Sequence, residues 1–185
     1  SSSSAASDVY KRQVVLSAAF SALASFLVFR SSDPRAAQSV LYWMLGSVAG
    51  ATWDSLWVAA IVTALSAVLM IAFSGWLDAL SAGTDVARSL GIPDTKVRKA
   101  LFVGNSVLVG VLVAVSGGIG FVGLVIPHMS RLLVGASHRS MVPVAAAIGS
   151  LFLLWVDVGA RVIAAPQEVP LGVVTGFIGA PIFLY

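Results

Sequence analysis

The sequence contains no cysteine, and only 10% of its 185 residues are charged. The first absence excludes a disulfide framework, thiolate metal sites and cysteine nucleophiles. The second excludes an ordinary water-soluble domain, in which about a quarter of the residues carry charge. Nor is there a Gly-x-x-x-x-Gly-Lys-Ser/Thr loop to cradle nucleotide phosphates. No nucleophile, base and orienting acid converge in the sequence, so an enzyme is the least favoured class. No Lys/Arg run exceeds two residues and no basic face is interleaved with aromatics, which argues against a nucleic-acid partner. What the chain has in quantity is apolar surface: 58% of residues are hydrophobic and the mean hydropathy is +0.98. Too few polar side chains remain to coat a compact particle, so lipid or other apolar protein must cover much of it.

The uncharged gaps between charges set the architecture, because a helix needs roughly 17 to 25 apolar residues to cross a hydrocarbon core of about 30 Å. Five gaps qualify: residues 13–29, 55–77, 100–127, 140–156 and 169–185. The third holds 28 residues, about 42 Å as a straight helix, and has to break. Ser116-Gly117-Gly118 and Gly120 supply flexible backbone and Pro127 removes a donor, predicting a full helix, a turn and a short second helix over about 124–133. Residues 36–53 are also uncharged, but polar and glycine residues interrupt them and Tyr42, Trp43, Trp53 and Trp57 bracket them. This segment reads as an interfacial or re-entrant helix, with a sixth spanning helix as the alternative. The fold expected is all-α and integral to a membrane: a polytopic bundle of about five full or partial transmembrane helices, a short outer helix and a short half-helix.

With the first helix entering from the cytoplasm, eight of the eleven basic residues fall inside and Arg30, Arg35 and Arg161 fall outside, which follows the positive-inside rule. Residues 1–12 are low in complexity and are expected to be a disordered or artefactual segment ahead of a membrane domain over 13–185. They are too polar for a signal peptide.

The longest charged stretch, residues 78–99, lies on the positive side and carries its own helix punctuation. Thr84 can cap a helix start, Asp85 suits the positive end of its dipole, and Gly91 with Pro93 ends the turn after Leu90. Asp94 can cap a second start that leads through Arg98 into the third spanning helix. Two short cytoplasmic helices result. They are either a solvated connector or a docking surface for a cytosolic partner.

The string Gly120-Phe121-Val122-Gly123-Leu124-Val125-Ile126-Pro127-His128, with Arg131 and then His138-Arg139, resembles the signature of ABC importer permeases for iron-siderophores, haem and cobalamin, the FecCD/BtuC type. Further matches are Tyr42-Trp43-Met44-Leu45-Gly46, Ala87-Arg88-Ser89-Leu90-Gly91, Asp157 with Ala160-Arg161, Glu168-Val169-Pro170-Leu171-Gly172 and the closing Ile178-Gly179-Ala180-Pro181-Ile182-Phe183. The pattern departs at Gly118, where the family often has proline, at Ser137, and at Thr84-Asp85. The resemblance implies the C-terminal half of a ten-helix permease, multi-pass in the bacterial inner (plasma) membrane. It implies a partner set of cytosolic ABC ATPase subunits, a periplasmic or lipoprotein substrate-binding protein and a second permease subunit as homodimer or pseudo-dimer. It further implies that no cofactor binds the chain directly and that ATP is used by the partner.

Residue by residue, the resemblance assigns Asp85, Ala87, Arg88, Leu90, Gly91 and Arg98 to ATPase coupling and Arg161 to binding-protein docking. Gly120, Phe121, Gly123, Pro127, His128, Arg131, Glu168, Pro170 and Gly172 form its structural signature. Ser17, Ser21 and Ser25 lie on a smooth stripe of the first helix, which suits close packing or a pore wall. Arg161 also stands four residues after Asp157, a spacing that allows a pair on one helix face. His128 and His138 lack a nearby carboxylate or thiolate in sequence and make a poor cation site; both are expected to make helix-end hydrogen bonds. Two rival readings are an ion-coupled secondary transporter, for which only Asp157 qualifies as a relay group, and a non-transporting membrane fragment or scaffold.

Overall fold

The computed structural model describes residues 2–30, 34–163 and 169–184. They form two compact units, Ser1–Tyr42 and Trp43–Tyr185. The first contains α1 (Ser2–Arg30) and most of α2 (Pro34–Met44). No glycine or proline interrupts α1, so the helix continues upstream of residue 13 and the boundary expected at residue 12 is not a break in secondary structure. Ser17, Ser21 and Ser25 recur every fourth residue on it and are exposed. Helix α2 begins on proline, which suits a first helical position. Its 11 residues reach about 16 Å, so it is a short helix and not a sixth span.

The second unit runs α3 (Trp53–Ala72), α4 (Ser74–Ala82), α5 (Thr84–Ser89), α6 (Asp94–Ser116), α7 (Val122–Val134), α8 (His138–Ile163) and α9 (Leu171–Leu184). Among the described residues, α3, α6 and α8 are long and apolar enough to cross a membrane. The break in the third uncharged gap falls at Gly117, as the glycines predict, and α7 follows it. Pro127 does not make that break. It sits inside α7, where it removes the N–H that the Gly123 carbonyl would accept. The expected span over 169–185 is represented by α9, whose 14 residues reach only about 21 Å. The expected span over 55–77 stops early, at Phe73, where Ser74-Gly75 turns the chain into α4.

Helix α7 packs on α8 and α9, and α3 packs on both α6 and α8. Among the described residues few are buried. Helix α3 buries only Ala59, and α6 buries nothing. Apolar faces of this extent must be covered by lipid or by further protein.

A glycine-lined junction joins the segment after α2 to the end of α6 and the start of α9. The Ser47 N–H donates to the Ser116 carbonyl at 2.8 Å, and the Trp43 indole N–H donates to the Ala114 carbonyl at 3.4 Å. On the other side, the N–H groups of Leu171 and Gly172 donate to the carbonyls of Gly46 and Leu45 at 2.8 and 3.1 Å. Last-turn carbonyls of α6 and first-turn donors of α9, which a helix cannot satisfy internally, are thus satisfied by one stretch, residues 43–47, that runs from the last turn of α2 into the loop after it. The close approach depends on glycine: a Cβ on Gly172 would stand 2.2 Å from the Leu45 carbonyl oxygen. Beside the junction, Val156 and Ala160 of α8 and Leu171 of α9 form a small buried cluster with Val48 and Ile119 against it.

Candidate coupling element and polar helix ends

Helices α4 and α5 are the two short helices of the charged stretch, since α6 starts directly at Asp94 and continues as a membrane-length helix. The cap assignments made from sequence are corrected accordingly. Gly83, not Thr84, precedes α5, and its φ of +127° explains the residue type. Pro93, not Asp94, precedes α6, and neither helix start receives a side-chain cap. The end of α5 follows the sequence reading closely. Gly91 has a φ of +73°, its N–H donates to the Arg88 carbonyl at 2.9 Å, and the Ile92 N–H reaches back to the Ala87 carbonyl at 3.0 Å. This paired arrangement is the Schellman motif, and its usual apolar contact is present: Ile92 and Ala87 are buried together with Ala79, flanked by Leu80 and Val97. Arg88 Nη2 donates to Asp94 Oδ2 at 3.2 Å, tying the end of α5 to the first residue of α6.

The six residues that the resemblance assigns to coupling therefore separate into inside and outside. Ala87 has no exposed surface and packs the element together, so it offers nothing to a partner. Asp85, Arg88, Leu90, Gly91 and Arg98 are exposed. Leu90 is 65% exposed, and Val86, which sequence reading missed, stands one helical turn before it at 43%. A six-residue helix is too short to show the periodicity that separates its inner from its outer face.

The element is attached to the membrane helices by Asp78 of α4. Its Oδ1 accepts the backbone N–H of His138, the first residue of α8, at 2.9 Å, and lies against His138 Nδ1. Its Oδ2 accepts from the Ser137 hydroxyl at 3.2 Å. A carboxylate supplied by another helix thus caps α8 at the positive end of its dipole. The His138 N–H is foremost in holding the Asp78 carboxyl below the usual carboxylate range, with the His138 ring and the Ser137 hydroxyl acting in the same direction. His138 therefore does make a helix-end hydrogen bond, whereas His128 lies in the interior of α7, exposed, and not at an end. Arg131 occupies the last turn of α7, where a cation suits the dipole.

At the opposite end of α8, Arg161 Nε donates to Asp157 Oδ2 at 2.9 Å, the pair expected from their spacing. Their side chains are 48% and 29% exposed, and the pair lies in the last two turns of α8. Pro170 immediately precedes α9 and its carbonyl accepts from Val173 at 3.1 Å. Glu168 lies outside the described residues. Phe121 precedes α7 with a φ of +65°, a left-handed conformation costly for a residue with a Cβ. Its ring lies over Gly179 of α9, where any side chain would collide with it. Gly120 and Gly123, by contrast, have open space beside them.

Residues 13–185 match the FecCD transport family. The chain is 37% identical over 164 residues to the cobalamin import system permease protein of Halobacterium salinarum, covering 89% of this chain and 43% of that protein. It is 36% identical over 170 residues to the molybdate import system permease protein of Haemophilus influenzae, covering 92% of this chain and 50% of that one. A solved structure described as a metal-chelate type ABC transporter in an inward-facing conformation superposes with a TM-score of 0.83 at 36% identity, over 92% of this chain and 55% of that chain. The chain spans about half the length of the curated relatives it matches. The family match over residues 13–185 and these identities agree: the chain belongs to the FecCD transport family.

Proposed function

We propose that this chain is the membrane-embedded part of a permease subunit in a binding-protein-dependent ABC importer, located in the bacterial inner membrane. The cargo is an iron chelate, haem or a corrinoid, held by shape in a smooth cavity formed with a second permease subunit. Family membership supports the transporter class, and relatives named for cobalamin and molybdate import show that one scaffold serves chemically different cargo. Cytosolic ATPase subunits bind and hydrolyse ATP, and the chain itself binds no cofactor. The observation that carries this reading is the α4–α5 element: rigid inside through Ala79, Ala87 and Ile92, and exposed outside through Val86, Arg88 and Leu90. A small, well-packed element with an apolar and cationic outer face is suited to seat in a cleft of a separate motor protein. At the other membrane face, Arg161 is placed to meet acidic side chains of a substrate-binding protein, where rim charges set docking register and on-rate. Nucleotide-driven movement of the ATPases shifts the pore between outward-open and inward-open populations.

Co-purification with the ATPase subunits tests the proposal. Val86→Glu and Leu90→Arg are expected to abolish association while leaving the membrane level of the chain unchanged. Undiminished association of both variants would contradict it.

A further inference from the structure

Asp78 is separated by about 60 residues of chain from the helix end it caps, and its polar contacts there cross from α4 to the first residue of α8, His138, and to Ser137 just before it. Helix α4 is fused to α5 through the single residue Gly83 and shares a buried cluster with it. A displacement of α5 is therefore delivered to α4 as a rigid unit. Helix α8 is 26 residues long, about 39 Å, and so is long enough to connect both faces of a bilayer. Its first residue is held by Asp78, and its last turns carry the Asp157–Arg161 pair and the Val156–Ala160 contacts at the glycine junction. One continuous helix thus joins the exposed α5 to the opposite rim, with Asp78 as the fastening at its near end.

We propose that Asp78 is a positioning residue that fastens the α4–α5 element to the start of α8, so that movement imposed on the element is transmitted along α8 to its far rim. This rests on the reading of α4–α5 as the ATPase contact. A carboxylate suits the task because two oxygens accept from separate donors on consecutive residues, Ser137 and His138, and so define both position and direction. The charge also meets the positive end of the α8 dipole, which an amide or an alkyl side chain does not provide.

The test uses the chain in its native assembly with the ATPase subunits. The chain has no cysteine of its own, so Ile163→Cys, at a position 78% exposed, reports the far end of α8 through its reaction with a membrane-impermeant maleimide. The rate is measured with and without ATP plus vanadate. With Asp78 present, nucleotide is expected to change the rate by about fivefold or more, the usual lower range of coupling between two sites. In Asp78→Ala the two rates converge while ATPase association persists. Asp78→Asn, which keeps an acceptor for the His138 N–H, recovers part of the response. Ser137→Ala removes a single donor and is expected to reduce the response by about twofold, as for one hydrogen bond. A full response in both Asp78→Ala and Ser137→Ala overturns the inference. If Asp78→Ala does not assemble, Ser137→Ala decides: a reduced response supports the fastening and an undiminished one overturns it. Failure of the parent chain to bind any ATPase instead defeats the functional reading, and the inference with it.

Discussion

The carbonyl oxygen of Trp43 occupies the place where a side chain on Gly117 would begin: a Cβ built on Gly117 stands 1.8 Å from it. Gly117 also has a φ of +68°, so both space and backbone conformation demand glycine there. This contact closes the junction through which the end of α2 and the loop after it, the end of α6 and the start of α9 are held in one place.

Gly117→Ala is accordingly expected to destabilise the chain by about 2 kcal/mol or more, the combined effect of overpacking and a left-handed backbone. Gly118→Ala is the comparison: it has open space and no positive φ, and is expected to cost well under half as much. Thermal unfolding of the two variants in the same detergent measures the difference.

Acid is expected to release the Asp78 fastening. The carboxyl is held below its ordinary value of 3.8 in the folded chain, so its contribution is fully present above that value and is lost as pH falls through the lower, folded one. Unfolding temperatures compared at about pH 6 and about pH 3 should fall more steeply for the parent chain than for Asp78→Asn, in which this titration is absent. The carboxylate is exposed enough that the difference is small.

Ala87 and Leu90 should separate stability from association. Ala87→Leu forces a larger side chain into the Ala79–Ile92 cluster and is expected to cost about 1 to 3 kcal/mol. Leu90→Ala leaves stability within about 0.5 kcal/mol, as for exposed positions generally, and weakens ATPase binding. Unfolding curves and co-purification yields distinguish the two effects.

Arg161→Ala is expected to change stability by no more than about 0.5 kcal/mol, because an exposed i,i+4 ion pair contributes little. Its effect should fall on the rate at which the substrate-binding protein docks, and that loss should shrink as salt is raised. Stopped-flow or surface-based association kinetics at two ionic strengths provide the check.

These residues also separate what is local to the sequence from what arises only in the fold. The turn after α6 follows from Ser116, Gly117 and Gly118, and the Asp157–Arg161 pair from a four-residue spacing, because both are local rules of helix geometry. The end of α5 was legible at Gly91 for the same reason. The helix break at Phe73 was not, since no charge marks it and Ser74-Gly75 is a weak signal inside an apolar run. Asp78 read as a mere boundary because its partners are about 60 positions away. The tight approaches at Gly117 and Gly172 depend on the carbonyls of Trp43 and Leu45, which only tertiary packing brings near. Ala87 and Leu90 looked equivalent because the burial of a six-residue helix is decided by its neighbours and not by its own pattern.

Transmission along α8 requires the α4–α5 element and the Asp157–Arg161 pair to face opposite sides of one membrane. Side-specific labelling of Arg88→Cys and Arg161→Cys in sealed, right-side-out membranes tests this directly. The expected result is reaction at position 161 from outside and at position 88 only after permeabilisation. Reaction at position 88 from outside, or at position 161 only after permeabilisation, would contradict it.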